Sequence, residues 1–267
     1  TKLPVIFRNK DFFLMWLGQI SGQVALRMFQ ISVMWWLVTN LKENSGKVTG
    51  LFMLASALPS VLFVRFIGKT IDRFKTRYIL LVSDILAMIV LLFSGFFLKK
   101  SALSVFGLIW SGFLVALLEA FLDPAFNKAV KEVVDDRDIE TAVSFQTSTQ
   151  SLSNFGGAVL GSVLIDRFGV ANIFLLSSFS YFVAAFFNSF VRFKAIDGVE
   201  KKEVESSVFK ILDRLGVIKK VLFGFGIVNF FVTPVFIVIP LYTSKTLNLT
   251  ASVMAQLEAS LWIGLIC

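Results

Sequence analysis

Long apolar segments separated by short polar connections make up most of this chain of 267 residues. A transmembrane helix needs about 20 mostly apolar residues to cross the hydrocarbon core of a bilayer. Segments of this kind are predicted at 12–38, 48–68, 78–98, 102–122, 142–165, 170–191 and 221–243, and an eighth begins near residue 252. The pattern predicts an all-α membrane protein in which six spans precede the longest polar connection, residues 192–220.

Composition narrows the function class. Charged residues make up 16% of the chain, whereas soluble domains carry about 25%. The sequence has no histidine, and its single cysteine is Cys267, so it offers no Ser-His-Asp triad, no histidine metal site and no internal disulfide. It also lacks the GxxxxGK[ST] phosphate loop of ATP-driven proteins. These absences argue against an enzyme, and we expect no cofactor.

Lysine and arginine are distributed unequally between the two sets of connections. With the N-terminus inside, the inner connections hold eighteen of these residues and the outer connections six. Positive residues accumulate on the cytoplasmic side of membrane proteins. The distribution therefore predicts a cytoplasmic N-terminus, and it accounts for the net charge of +8 without a nucleic-acid partner.

The connection after the sixth span is polar at first and then repeats apolar residues at three-to-four spacing. This second part resembles an amphipathic helix on the membrane surface: Val208, Phe209, Ile211, Leu212, Leu215 and Ile218. We therefore predict a six-helix bundle at 1–194, a cytoplasmic linker at 195–220, and at 221–267 the seventh helix with part of the eighth.

The four residues IDRF occur twice, at 71–74 after the second span and at 165–168 after the fifth. The two copies end helices that run in opposite directions across the membrane. An inverted three-plus-three repeat requires that arrangement, although four residues are a short match.

The first span carries polar residues at spacings of four, four and three: Gln19, Gln23, Arg27 and Gln30. At 100° per residue they fall within an arc of about 80° on one helix face. Polar groups at such depth face a protein interior or a water-filled cavity. Hydrogen bonding between helices is a comparable explanation for the glutamines, whereas Arg27, close to mid-span, favours a cavity.

Acidic residues also lie inside predicted spans: Asp84 in the third, Glu119 and Asp123 in the fourth, and Glu258 in the eighth. Asp123 precedes Pro124 at the predicted helix end, where capping or solvation accounts for it. Glu119 lies a full turn inside the span and has no such explanation. In the fifth span, Gln150 and Asn154 share one face and could offer hydrogen bonds to a substrate.

The segment GKTIDRFKTR at 68–77 resembles the loop signature between the second and third helices of the major facilitator superfamily. WLGQISGQ, LLVSD, FLDPAFNKAV and NFFVTPVFIVIPLY follow the order found in its branch of macrolide-efflux and enterobactin-exporter-like proteins. The resemblance implies twelve helices in two six-helix bundles that rock around a central site. The chain would then be a fragment with the major facilitator type N-terminal bundle and the start of the C-terminal bundle, ending in the eighth helix.

In this superfamily the loop signature lies where the two bundles meet on the cytoplasmic side. The resemblance implies that Gly68 permits close helix approach and that Asp72 acts as an anion at a helix end or as partner of a loop arginine. It also implies that Arg73 and Arg77 bind carboxylates, so that the loop gates transport. A positive-inside anchor without a gating role is the alternative.

The resemblance assigns roles to residues inside the spans as well. Three glycines of the fifth span resemble the antiporter motif of drug–proton exchangers, with ordinary helix packing as the alternative: Gly156, Gly157 and Gly161. Glu119 would line the cavity and couple transport to protons under the influence of Arg27. Asp84 stands at a usually acidic position and would serve in proton coupling or in a structural pair with Arg65. With the fourth span ending at 122, Glu119 lies about one turn from the cytoplasmic end of its helix, whereas Arg27 is near mid-span. At ~1.5 Å rise per residue, the two side chains would differ in membrane depth by roughly 10 Å. Water or substrate would then lie between them, or Arg65 would be the closer cation to Glu119.

The function that this resemblance implies is proton-coupled export of a small amphipathic molecule, such as a drug, a macrolide or a siderophore-like compound. The partners would be the substrate, protons and the lipid bilayer, with no nucleic acid, and the protein would be a monomer in the cytoplasmic (inner) membrane of a bacterium. A non-transporting membrane scaffold and a membrane-embedded enzyme are the alternatives.

The predicted orientation can be tested with single cysteines in a Cys267→Ser background. We expect a membrane-impermeant maleimide to label Lys99→Cys in intact cells and to leave Lys75→Cys unlabelled, because the basic loops stay inside. Labelling of Lys75→Cys in intact cells would contradict the topology.

Overall fold

The computed structural model describes residues 5–41, 44–194 and 216–266, and these residues form helices without a β-strand. The helices are α1 (Val5–Arg8), α2 (Lys10–Asn40), α3 (Ser45–Leu62), α4 (Val64–Arg73), α5 (Thr76–Lys99), α6 (Val105–Val133), α7 (Ile139–Phe168), α8 (Val170–Phe190), α9 (Gly216–Leu241) and α10 (Ala251–Ile266). A 3₁₀ turn, Asp136–Asp138, precedes α7, and a π-helical turn, Tyr242–Thr246, follows α9. The amphipathic pattern predicted from Val208 to Leu215 lies outside the described residues.

Five helical segments of the described chain are long and apolar enough to cross a membrane: α3, α5, α6, α8 and the stretch Val217–Thr246. This confirms the prediction of an all-α membrane protein. Helices α2 and α7 are 31 and 30 residues long, yet they are not among the five. Most of the polar candidate residues lie on these two helices, and these polar side chains account for the lower hydropathy of the helices.

Two predicted spans differ from the helices observed. The span 48–68 is divided at Phe63, which separates α3 from α4. The span 102–122 is too short, because α6 continues through Pro124 to Val133. Proline is tolerated inside membrane helices where neighbouring groups satisfy the freed carbonyl. Asp123 is therefore not at a helix end as predicted, and Glu119 lies at the middle of α6.

Helix α2 packs closely against both α7 and α8 through pairs of glycines four residues apart. A Cβ added to Gly18 of α2 would lie 2.6 Å from Asn188 Oδ1 of α8, and Gly22 faces the Tyr181 ring of α8. On α7, a Cβ at Gly157 would lie 3.1 Å from the Val24 carbonyl oxygen. Small residues at this spacing let helix backbones approach each other in membranes.

The predicted antiporter glycines are divided by this packing. Gly157 and Gly161 both lie against α2, Gly161 with its added Cβ 3.1 Å from Met28 Cα. Gly156 has no atom within 4 Å of the position that a Cβ would take. The arrangement of Gly157 and Gly161 matches the alternative of helix packing, and Gly156 takes no part in it.

One end of the bundle, here called the proximal end, contains the start of α2 and is held by polar contacts. Arg8 pairs with Asp138, and the Arg77 guanidinium donates to the Ser189 carbonyl at 2.5 Å. Thr76 Oγ1 donates to Glu132 Oε1 at 2.7 Å. These contacts join the ends of α1, α5, α6 and α8 and the turn before α7.

Lys194, four residues after the end of α8, adds a further contact at the proximal end. Lys194 Nζ donates to Asp135 Oδ1 at 3.0 Å, and this hydrogen bond, with the lysine charge, lowers the pKa of the Asp135 carboxyl from its usual value.

The opposite end, where α2 and α7 end and α10 begins, is here called the distal end. The proximal end carries the loops predicted to be cytoplasmic.

Gly156 and Gly157 are adjacent in the chain but differ in packing, so their alanine variants form a matched pair. We expect Gly157→Ala to lower the free energy of unfolding by about 1–3 kcal/mol, because the added methyl group overpacks the contact with the α2 backbone. Gly156→Ala meets no atom and should be neutral or slightly stabilising, since alanine favours a helix by up to ~1 kcal/mol over glycine. The midpoint of thermal unfolding in detergent measures both effects, and equal midpoints for the two variants would contradict this packing.

Candidate functional site

A cavity of about 350 Å³ lies between α2, α6 and α7. Its walls consist of Gln23, Leu26, Arg27 and Gln30 of α2, Glu119 and Asp123 of α6, and Gln150 and Asn154 of α7. Leu26 alone among these side chains is apolar. A cavity lined mainly by polar side chains within a helical bundle can hold water or a polar ligand.

The cavity brings together six of the seven residues that the sequence nominates for it. The seventh, Gln19, is buried but does not line the cavity. It lies eight residues from Arg27, or about 12 Å along the helix axis, and so belongs to a different depth of the bundle. Sequence reasoning missed Leu26, and it explained Asp123 by a helix end that the structure does not have.

Arg27 is the only cation on the cavity wall. Its guanidinium donates to Gln30 Oε1 on the next turn at 3.1 Å, while Arg27 Nε has no hydrogen-bond partner among the described residues. Gln23 is 93% buried, and its Oε1 likewise has no partner in the described protein. One buried donor and one buried acceptor on neighbouring turns of α2 are therefore unpaired among the described residues.

Glu258 of α10 contributes a charge from outside the six-helix bundle. Its side chain is buried, and it interacts electrostatically with Arg27 without forming a direct ion pair among the described contacts. The sequence shows Glu258 as an acidic residue in an apolar segment, but only the fold brings it towards the arginine. Its role could not be inferred without knowing which face of α10 meets α2.

Glu119 lies at the middle of α6, one turn from Asp123 on the same cavity wall. The Tyr181 hydroxyl of α8 donates to Glu119 Oε1 at 2.5 Å. Because α6 extends to Val133, the expected 10 Å difference in depth between Glu119 and Arg27 does not apply, and both residues line one cavity. Arg65 is exposed on α4 and does not line the cavity.

Asp84 is only 1% exposed, and its Oδ2 accepts a hydrogen bond from Asn188 Nδ2 at 2.8 Å. Asn188 in turn lies against Gly18 of α2. The predicted pair with Arg65 is wrong, because Arg65 lies exposed outside the bundle. Asp84 does not line the cavity, and its contact joins α5 to α8 beside α2.

The loop signature lies at the proximal end. Gly68 has no atom within 4 Å of an added Cβ, so no described helix approaches it closely. Asp72 is exposed and has no hydrogen bond or ion pair with any described residue. Arg73 lies over the Phe74 ring at 5.8 Å, and Arg77 binds the Ser189 carbonyl. In this structure neither arginine binds a carboxylate, contrary to the expectation.

A second cavity of about 340 Å³ lies beside this loop, between α3, α4 and α6. Gly68 and Ile71 line it from α4, and Ala120, Asp123 and Pro124 line it from α6. Asp123 therefore borders both cavities. No group of three or more Asp, Glu or Cys residues suited to a metal ion occurs in the described part of the chain.

Comparison with known proteins places this geometry in context. Residues 4–213 match a family model of the major facilitator superfamily described as transmembrane secretion effector. The chain is 27% identical over 135 residues to the uncharacterized MFS-type transporter YfiS of Bacillus subtilis, covering 51% of this chain and 31% of the relative. It is 23% identical over 156 residues to macrolide efflux protein A of Streptococcus pyogenes, covering 57% of this chain and 37% of the relative. The matches thus span about a third of the length of these relatives.

Proposed function

The chain belongs to the transmembrane secretion effector family of the major facilitator superfamily, and from that membership we propose that the protein exports a small amphipathic molecule in exchange for protons by alternating access. The family and its matched relatives are transporters rather than enzymes. The single observation that supports the proposal most directly is the polar cavity between α2, α6 and α7.

The substrate proposal follows from the walls of that cavity. Leu26 offers an apolar contact, the amide side chains of the cavity wall offer hydrogen-bonding groups, and the carboxyls of Glu119 and Asp123 add charge. An amphipathic molecule with several polar groups fits such a mixture better than a hydrocarbon or a simple ion does. The name of the relative from Streptococcus pyogenes, macrolide efflux protein A, supports a macrolide as the substrate, within the proposed range of drugs, macrolides and siderophore-like molecules.

Proton coupling is assigned to Glu119 in preference to Asp84. A coupling carboxyl has to reach the substrate site, and Glu119 lines the cavity whereas Asp84 does not. Asp84 is also engaged by Asn188 inside the helix packing, which suits a structural role. From the cavity wall, Glu119 would load a proton in one state of the transport cycle and release it in another.

The remaining parts of the proposal concern location and gating. The protein is proposed to lie in the bacterial cytoplasmic membrane as a monomer with its N-terminus inside, in keeping with its basic proximal loops. Asp72 is exposed and has no partner among the described residues, so we propose that it contacts a further helix in another state of the cycle. Gly68, Arg73 and Arg77 belong to the same proposed gate.

The proposed coupling predicts the behaviour of Glu119→Gln. We expect this variant of the full-length protein to lose proton-driven export, because an amide cannot carry the proton, while substrate binding changes little. The measurement is accumulation of a radiolabelled macrolide and of ethidium in expressing cells, with and without a protonophore. Glu140→Gln is the matched control, since Glu140 is exposed at the start of α7 and should not affect export.

Two results would contradict this assignment. Uphill, protonophore-sensitive export by Glu119→Gln would reduce Glu119 to a hydrogen-bonding residue. Failure of the unaltered protein to lower the accumulation of either probe would favour the non-transporting scaffold over the exporter for these substrate classes.

The proposed gate predicts that Asp72→Asn slows export severalfold while leaving substrate affinity close to that of the unaltered protein. A gate contact changes the rate at which states interconvert, and the central cavity is untouched. Initial rates of export and equilibrium binding of the same probe separate the two effects. Asp136→Asn, an exposed carboxyl at the same end, is the control, and a wild-type export rate for Asp72→Asn would exclude the gating role.

A further inference from the structure

The carboxylate of Asp166 holds the start of α10. Asp166 Oδ1 accepts a hydrogen bond from the Ala251 backbone N–H at 3.1 Å, and Oδ2 accepts one from the Ser252 backbone N–H at 3.0 Å. The Ser252 hydroxyl donates to Oδ2 as well. These backbone groups are among the first N–H groups of a helix, which have no partner within the helix. A carboxylate is the most favourable group to satisfy them, because the helix dipole is positive there.

The position of Asp166 is fixed by the end of α7. Gly169 adopts φ +76°, a conformation that favours glycine, and its N–H donates to the Ile165 carbonyl at 2.8 Å. This turn ends α7 and starts α8 at once. Asp166 therefore stands on the last turn of a 30-residue helix and reaches a helix that lies 85 residues further along the chain.

On the proximal side of the Asp166 contact, α7 and α10 pack against each other through apolar side chains, here called the seam. Ile165 and Ala158 of α7 and Ala251 and Met254 of α10 are buried in one cluster with Met28 of α2. The polar contact thus closes the distal end of a dry interface between the six-helix bundle and the segment that follows the linker. Separating α7 from α10 at this end would expose both the seam and the α10 N–H groups.

Two further described contacts of this later segment lie in the same half of the molecule. Lys245 Nζ donates to the Leu41 carbonyl at 2.7 Å, and Leu241 packs against Gly46 at the start of α3. Towards the proximal end, the side chains of α9 from Val217 to Val235 are exposed. The described contacts between the two segments therefore lie at the distal end, whereas the α9 side chains towards the proximal end are exposed.

The repeated IDRF sequence relates this contact to the loop signature. In both copies the isoleucine, Ile71 or Ile165, is buried and the residues after it are exposed. The aspartate of the second copy binds the start of α10, whereas Asp72, the aspartate of the first copy, has no partner among the described residues. In this structure the aspartate of the distal copy is bound to a helix start, whereas the aspartate of the proximal copy has no partner among the described residues.

We propose that Asp166 is a positioning residue of the transport cycle that holds α10 against α7 and thereby keeps the distal end closed. It acts through α10 rather than through contact with the substrate, and it releases the start of α10 when the distal end opens. This inference rests on the proposed transport function, because only an alternating-access protein needs the distal end to open.

The test follows both ends at once by cysteine labelling of the full-length protein in a Cys267→Ser background. Met254→Cys reports the distal end, because Met254 is fully buried in the seam. Gly68→Cys reports the proximal end, where a Cβ meets no atom. A membrane-impermeant maleimide is added to cells for the first position and to inside-out membrane vesicles for the second.

We expect Asp166→Ala to raise the labelling rate of Met254→Cys about tenfold, as suits the loss of a charge-assisted cap, and to lower that of Gly68→Cys. Asp166→Asn should lie between Ala and the unaltered residue, because asparagine still accepts a hydrogen bond at a helix start. Ser252→Ala should have a smaller effect, since it removes only one donor. Arg167→Gln, an exposed neighbour without a described contact, is the control and should change neither rate.

Opposite changes at the two ends separate a positioning role from a structural one. Faster labelling at both ends would mean that Asp166→Ala only loosens the fold, and unchanged rates would mean that the contact holds nothing; either result overturns the proposal. The labelling requires no substrate. Opposite shifts in a protein that exports neither probe would therefore refute the proposed function alone, whereas export with unchanged labelling would refute the role of Asp166.

Discussion

The architecture depends on the close approach of α2 to α7 and α8, which glycines at Gly18, Gly22, Gly157 and Gly161 permit. Between helices in a bilayer the hydrophobic effect contributes little, because lipid tails are as apolar as leucine, and association relies on dispersion contacts and hydrogen bonds. Gly157 and Gly161 let the α7 backbone come near that of α2, Gly18 leaves room for the Asn188 side chain, and Gly22 lies in ordinary contact distance of the Tyr181 ring. Two of the same contacts also shape the cavity, since Gly157 lies against Arg27 and Gly22 against the ring of Tyr181, which binds Glu119.

Buried polar groups are incompletely paired in more than one part of the bundle, since Asn188 Oδ1, like Gln23 Oε1 and Arg27 Nε, has no partner among the described residues. Asp84 and Asn188 bind each other beside Gly18 and have no access to the cavity, so their hydrogen bond serves to join helices. On the cavity wall, Gln23 Oε1 and Arg27 Nε are left without a partner in the described protein. An unpaired buried polar group costs about 1–3 kcal/mol. Because unpaired buried atoms also occur away from the cavity, the physical basis for proposing that a ligand binds there is the set of polar side chains that line it.

The sequence predicts features that depend on a single helix and fails where two helices have to meet. The spacing of Gln23, Arg27 and Gln30 defines one face of α2, and the structure turns that face to the cavity. The extent of α6 beyond Pro124 was missed, because the local rule for proline says that a helix ends there and only neighbouring helices make the continuation tolerable. The partner of Asp84 was missed for a similar reason. Asn188 is one of many polar residues in the later spans, and nothing local marks it as lying opposite Asp84.

Helix α10 links the contact at the distal end to the charge on the cavity wall, because one of its residues binds Asp166 and another interacts with Arg27. Ser252 and Glu258 lie six residues apart on this helix, or about 9 Å along its axis, and the first binds Asp166 while the second interacts with Arg27. A helix moves over such a short length nearly as a rigid rod. Any displacement of its start away from α7 therefore changes the distance between Glu258 and Arg27, and with it the field in the cavity. Conversely, a ligand that altered the attraction between these two charges would act on the start of α10, so that occupancy of the cavity and closure of the distal end bias each other.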